Sequence, residues 1–137
     1  MLFVGSKDMS VYQLDLSGKG KLSVVYEGHW NRVTYIYTIP SKDTLVTISE
    51  SNIKVWDLTY DECIKNMNDH SGAVVYTDSF YKNKDKEIIT VSSNFELKVW
   101  EYETGVVSIV QRLSESEEDD MDKPEKMTSI VACCAVS

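Results

Sequence analysis

The sequence predicts an all-β protein built from short antiparallel strands, and three observations predict it. First, one segment recurs: Met9-Ser-Val-Tyr-Gln-Leu-Asp-Leu16, Ile53-Lys-Val-Trp-Asp-Leu58 and Leu97-Lys-Val-Trp-Glu-Tyr102 set Tyr12, Trp56 and Trp100 at successive spacings of 44 residues. Second, the runs between turn residues are short and rich in β-branched and aromatic side chains. Third, no segment sustains apolar residues at helical spacings of three and four, so helix content is expected to be minimal.

The elements follow in order. Residues 2–5, 9–16 and 22–27 read as strands, with the hairpin turn Ser17-Gly-Lys-Gly20 between the second and third. Val33-Thr-Tyr-Ile-Tyr-Thr-Ile39 and Thr44-Leu-Val-Thr-Ile48 flank the turn Pro40-Ser-Lys-Asp43. Glu87-Ile-Ile-Thr-Val91 and Val106-Val-Ser-Ile-Val110 repeat the pattern later in the chain. The lead-in to each aromatic segment recurs as well: Leu45-Val-Thr-Ile-Ser49 matches Ile88-Ile-Thr-Val-Ser92 and, more loosely, Leu2-Phe-Val-Gly5. Upstream stand Gly28-His29 and Asp69-His70, with the histidines 41 residues apart.

Together these residues resemble the WD-repeat β-propeller family, whose period is about 40–45 residues. Gly28-His29 with Trp56-Asp57 copies that family's signature, Asp69-His70 with Trp100-Glu101 is a degenerate second copy, and Tyr12-Gln13 a worn first one. The resemblance implies antiparallel four-stranded blades in a partial propeller over 1–137. Residues 1–27 would be an incomplete blade, 28–68 and 69–113 two blades, 114–126 an acidic loop, and 127–137 the inner strand of a further blade. Twelve strands would make three blades' worth, whereas closed propellers typically have 4–8 blades. The chain is then a piece of a longer propeller, part of a ring completed by self-association or a partner chain, or a small open array. The resemblance also implies a hydrogen-bonded network in each blade: His29, Ser49, Glu50 and Trp56 in one, and His70, Ser92, Asn94 and Trp100 in the next.

Composition narrows function. The 137 residues carry 14 basic and 22 acidic side chains, a net charge of -8 that disfavours phosphate backbones and anionic membranes, so no nucleic-acid or membrane partner is expected. Cys63, Cys133 and Cys134 form no disulfide framework or zinc spacing, and read as buried free thiols of an intracellular protein, cytoplasmic rather than nuclear. Both histidines belong to the repeat, and neither a nucleophile elbow nor a phosphate-binding loop is present, so no enzyme, cofactor or metal is expected.

The expected function is a non-catalytic protein–protein interaction scaffold that presents blade-rim loops within a multiprotein complex. The alternative is a ligand-binding or enzymatic propeller with a site in its central channel. Trp30-Asn31-Arg32 is the sharper contact candidate, since Trp and Arg dominate interface hot spots; the competing reading folds Trp30 back onto a neighbouring blade. Tyr35, Tyr37 and Tyr76 are expected to pack between blades or line the channel, with hydroxyls reaching water. Residues 114–126 hold seven acids and two lysines, either a solvated loop or a landing site for basic proteins whose grip would weaken as salt rises.

Overall fold

The computed structural model describes residues 1–80, 87–101 and 103–112. Residues 81–86, the acidic segment 114–126 and the expected final strand 127–137, with Cys133 and Cys134, lie outside these. Among the described residues the chain is all-β, with one short 3-10 turn at Pro40–Lys42 and no α-helix.

Among the described residues eleven strands form three antiparallel sheets in chain order. Sheet I holds β1 (Leu2–Gly5), β2 (Val11–Asp15) and β3 (Lys21–Tyr26). Sheet II holds β4 (Tyr35–Ile39), β5 (Thr44–Ser49), β6 (Asn52–Asp57) and β7 (Glu62–Met67). Sheet III holds β8 (Val74–Phe80), β9 (Glu87–Ser92), β10 (Glu96–Glu101) and β11 (Val106–Arg112). Each strand pairs with its neighbour in sequence, as expected when tight turns join short strands. The outermost hairpin of each sheet turns through one left-handed residue, Gly20, Asp61 or Gly105. Glycine takes that conformation freely, and aspartate is among the few other residues that visit it.

The register corrects the reading of the first repeat. β6 bulges against β7 between Val55 and Trp56, β10 against β11 between Val99 and Trp100, and β2 against β3 between Gln13 and Leu14. Leu14 opposes Leu2 as Trp56 opposes Leu45 and Trp100 opposes Ile88. Leu14-Asp15, not Tyr12-Gln13, is therefore the counterpart of Trp56-Asp57. The aromatic Tyr12 matched by spacing, but its strand is set two residues away.

The sheets stack face to face. Along β5, Leu45 packs toward sheet I with Val11, Tyr26 and Trp56, while Val46 and Ile48 pack toward sheet III with Ile88, Val74 and Trp100. Strand alternation sends adjacent residues to opposite faces, and both faces of sheet II are covered, so β5 is buried throughout. The rings of Tyr26 and Trp56 meet edge-on at 5.3 Å across the first interface. Gly5 permits the close approach of sheet I: a Cβ there would lie 3.0 Å from Ile36 Cδ1 and Val33 Cγ1. One backbone bond recurs at both interfaces, from Val33 N to the Ser6 carbonyl and from Val74 N to the Glu50 carbonyl. β4 starts at Tyr35 rather than at the expected Val33, although the equivalent Val74 opens β8. Across the second interface the Tyr35 hydroxyl donates to the Val75 carbonyl rather than to water, and Tyr35 and Tyr37 pack against the core. The other face of sheet I, with Leu2, Val4 and Val25, is exposed.

Cys63 is exposed, contrary to the expected buried thiol; it lies on the outermost strand of sheet II, opposite the Trp56 bulge. Burial sets the energetic scale of the core. Ile48→Ala, at a fully buried position between sheets II and III, should cost about 2–5 kcal/mol in urea unfolding. Ile64→Ala, at an exposed position on β7, should cost less than about 1 kcal/mol.

Candidate functional site

Two polar networks are buried where the sheets stack. The segment before β4 tucks His29 beneath sheet II, with its Nε2 2.6 Å from Thr47 Oγ1. Trp56, on β6, donates its indole N–H to the same oxygen at 2.8 Å. In sheet III, His70 Nε2 stands 2.6 Å from Thr90 Oγ1, and Trp100 donates to that oxygen at 2.7 Å. His70 Nδ1 reaches Glu96 Oε2 at 3.2 Å. At His70 the Glu96 carboxylate can only accept, so Nδ1 carries the ring proton and Nε2 of the neutral ring accepts from the Thr90 hydroxyl. This tautomer follows from the partners, and it leaves the His70 Nδ1–H to donate to Glu96.

The networks correct four residues named from sequence. Ser49 and Ser92 were expected to supply the hydroxyls, but Thr47 and Thr90 do. Thr47 pairs with Lys54, one pleat from the Leu45–Trp56 pair and on the same face, within reach of the indole. Ser49 pairs with Asn52 at the far end of the hairpin, and its hydroxyl donates to the Asn31 carbonyl at 2.8 Å. Glu50 and Asn94 do not reach the histidines. Glu50, at a φ of 51°, accepts from the Asn31 side chain, and Asn94 accepts from Ser92 and donates to Ser71. The residues that hold the third position are Asn52 and Glu96, 44 apart. Sheet I has no such network. Val4 stands where Thr47 does, and the Tyr12 hydroxyl donates to Asp8 instead, at 2.6 Å.

Two lysines missed by sequence reasoning complete the arrangement. Lys54 and Lys98 are almost fully buried, with ammonium groups 5.9 Å and 5.7 Å from the ring centres of Trp56 and Trp100. The repeated Lys-Val-Trp was the signal. Lys98 also donates to Asp69 Oδ2 at 2.7 Å and to the Asp69 carbonyl, and lies 3.5 Å from Glu96 Oε2. Lys54 has Gly28 where Lys98 has Asp69.

These surroundings set the titration of the site. Burial pushes His29 down to about 4; Asn52 opposes the fall and the Lys54 charge adds to it. Asn52 acts on His29 as an uncharged amide in the place of the carboxylate, without a hydrogen bond of normal length at His29 Nδ1 or Asn52 Oδ1. Burial also lowers His70, against the opposing pull of Glu96. The hydrogen bond from Lys98 holds Asp69 below the usual carboxylate range.

The contact candidates lie beside the first network. Trp30 is 78% exposed and Asn31 and Arg32 are exposed, so Trp30 does not fold back onto a neighbouring sheet. Asn31 is the anchor of the three: its side chain donates to Glu50 and accepts from Arg32 N at 2.7 Å, while its carbonyl takes the Ser49 hydroxyl. A shallow cavity of about 330 Å³ is lined by Asp15, Lys21, Leu22 and Ser23 at the β2–β3 hairpin, away from the networks. No group of three or more metal-ligating side chains gathers among the described residues, and none of their helices is long and apolar enough to cross a membrane. No protein-family model matches the chain, and comparison with curated proteins gives no match. The class is thus defined by its own geometry: antiparallel sheets stacked in chain order, two of them pinned by the same His–Thr–Trp network.

Thr47→Val should cost about 1–3 kcal/mol in urea unfolding, because it strands His29 Nε2 and the Trp56 indole together. Ser49→Ala, which removes one bond to a carbonyl, should cost about 0.5–1.5 kcal/mol. The His29 ring binds its proton less tightly in the folded protein, near 4, than at the ordinary value of 6.5, so the unfolded chain takes up that proton first. Its contribution is complete above pH 6.5 and is lost as pH falls toward 4. The melting temperature should therefore drop over that window, and drop less in His29→Gln.

Proposed function

We propose that the chain is part of a WD-repeat β-propeller and serves as a non-catalytic scaffold for protein–protein interaction inside an intracellular assembly. The stacked four-stranded sheets, the repeated inter-sheet backbone bond and the two His–Thr–Trp networks support the propeller reading. The exposed apolar face of sheet I agrees with an array meant to continue, through further repeats or another chain.

The observation that carries the functional reading is Trp30. A large aromatic side chain is held in solvent on a segment whose next residue is bonded at three points. An anchor already fixed in place loses little freedom on binding, so more of its burial appears as affinity. Arg32 sets a cation two residues away. The acidic segment 114–126 would add a preference for basic partners through charge.

Trp30→Ala tests this reading. Tagged full-length chain and variant are compared for co-purifying proteins from their own cell extract, with thermal melting measured beside them. At least one bound protein should fall about tenfold or more with the melting temperature unchanged, as for a hot-spot residue. Unaltered co-purification in both Trp30→Ala and Arg32→Ala would remove this surface from the proposed function.

A further inference from the structure

We infer that the corner of sheet II between Gly28 and Lys54 is a carboxylate-binding site, filled by an acidic side chain of a protein partner or by a free carboxylate. The comparison is internal to the molecule. In sheet III two carboxylates serve one buried lysine and one buried histidine: Asp69 Oδ2 lies 2.7 Å from Lys98 Nζ, and Glu96 Oε2 lies 3.2 Å from His70 Nδ1 and 3.5 Å from Lys98 Nζ. In sheet II the lysine and the histidine remain while both carboxylates are gone, with Gly28 and Asn52 in their places.

Among the described residues the Lys54 cation is left without counter-charge. Lys54 is only 8% exposed, and no carboxylate of the described residues pairs with its ammonium group, which has the Trp56 ring 5.9 Å away. A partly desolvated ammonium gains from a counter-charge, and the face of an indole supplies only part of that gain. His29 Nδ1 and Asn52 Oδ1, which act on each other, lack a hydrogen bond of normal length in the same corner.

There is room for the missing group, and a way in. A Cβ built at Gly28 would lie 3.8 Å from both Lys54 Cε and Lys54 Nζ, an ordinary van der Waals contact, so a side chain starting where Asp69 starts meets no clash there and begins beside the ammonium group. The Asp69 side chain is 69% exposed, and Gly28 is exposed at the matching place, so a carboxylate can arrive from solvent. The frame that holds a carboxylate one repeat later is thus present with its lysine buried and its acid absent. The inference stands on sheet II alone and does not depend on Trp30 being a contact.

The test follows the indole N–H signals of Trp56 and Trp100 by NMR in the full chain while acetate replaces chloride at constant ionic strength. Trp56 should shift saturably and Trp100, whose lysine already has its carboxylates, should stay. Lys54→Met should weaken acetate binding at least tenfold. Asn52→Glu, which supplies the sheet III carboxylate in place, should do the same and keeps the test open if the first variant fails to fold. A blocked tripeptide with a central Asp, compared with its Asn analogue, then separates the sources. Binding at least tenfold tighter than acetate assigns the site to a partner's side chain, and equal affinity assigns it to free carboxylates. The inference is overturned if acetate gives no saturable shift, if Trp100 moves in parallel, or if both variants bind acetate like the parent chain. Wild-type acetate binding by Trp30→Ala keeps this site even where the contact role of Trp30 fails.

Discussion

A single threonine hydroxyl, shared between a histidine and a tryptophan, makes the stacking of these sheets chemically tolerable. Sheet II is covered on both faces, so its ladder could consist of aliphatic residues alone. Instead an imidazole and an indole N–H sit inside with it, and a buried polar group without a partner costs about 1–3 kcal/mol. Thr47 settles both groups with one oxygen, and Thr90 does the same in sheet III. The geometry demands a hydroxyl on that strand, at that pleat, with the histidine arriving from the preceding loop. Loop, second strand and third strand of each sheet are locked together as a consequence.

The three sheets form a graded series built on one frame. Sheet III has the full set of histidine, threonine, tryptophan, lysine and two carboxylates. Sheet II keeps the first four but not the carboxylates, and its residual orphans lie at His29 Nδ1 and Asn52 Oδ1. Sheet I has dropped the network altogether: valine replaces threonine, leucine replaces tryptophan, and nothing polar is left in need of the missing partner. Removing all members of a polar network together is tolerable, whereas removing one leaves the others unpaired. Sheet II therefore holds the site where an added group could do most.

The same frame sets which surfaces are free to act. Because the histidine must enter from the loop before the first strand of its sheet, that loop is fixed at one end, and Asn31 fixes it again to the Glu50 turn. What projects beyond these anchors, Trp30 and Arg32, is held by a rigid base while exposed to solvent. Sheet III has a comparable brace between Asn94 and Ser71, but the residues beside it are small. Two loops of like construction thus differ in what they offer to a partner.

Much of this was legible in the sequence. Short β-branched runs, turn residues and absent helical spacing determined the all-β antiparallel architecture, because strand period and turn chemistry are local properties of the chain. The spacing of Trp56 and Trp100, and of His29 and His70, determined which histidine shares a network with which tryptophan. Other assignments needed the tertiary structure. Thr47 and Ser49 recur together in both copies and share a face, so only the register of β5 against β6 could choose the one near the indole. Tyr12 matched the tryptophans by spacing, and only the strand register, with its bulge at Gln13 and Leu14, showed that the correspondence lies two residues further on. The burial of Lys54 and Lys98 beside the tryptophan rings was likewise decided by the stacking. Periodicity reports which face a residue takes, but the partner it meets there is set by strand register and sheet stacking, which no local stretch of sequence encodes.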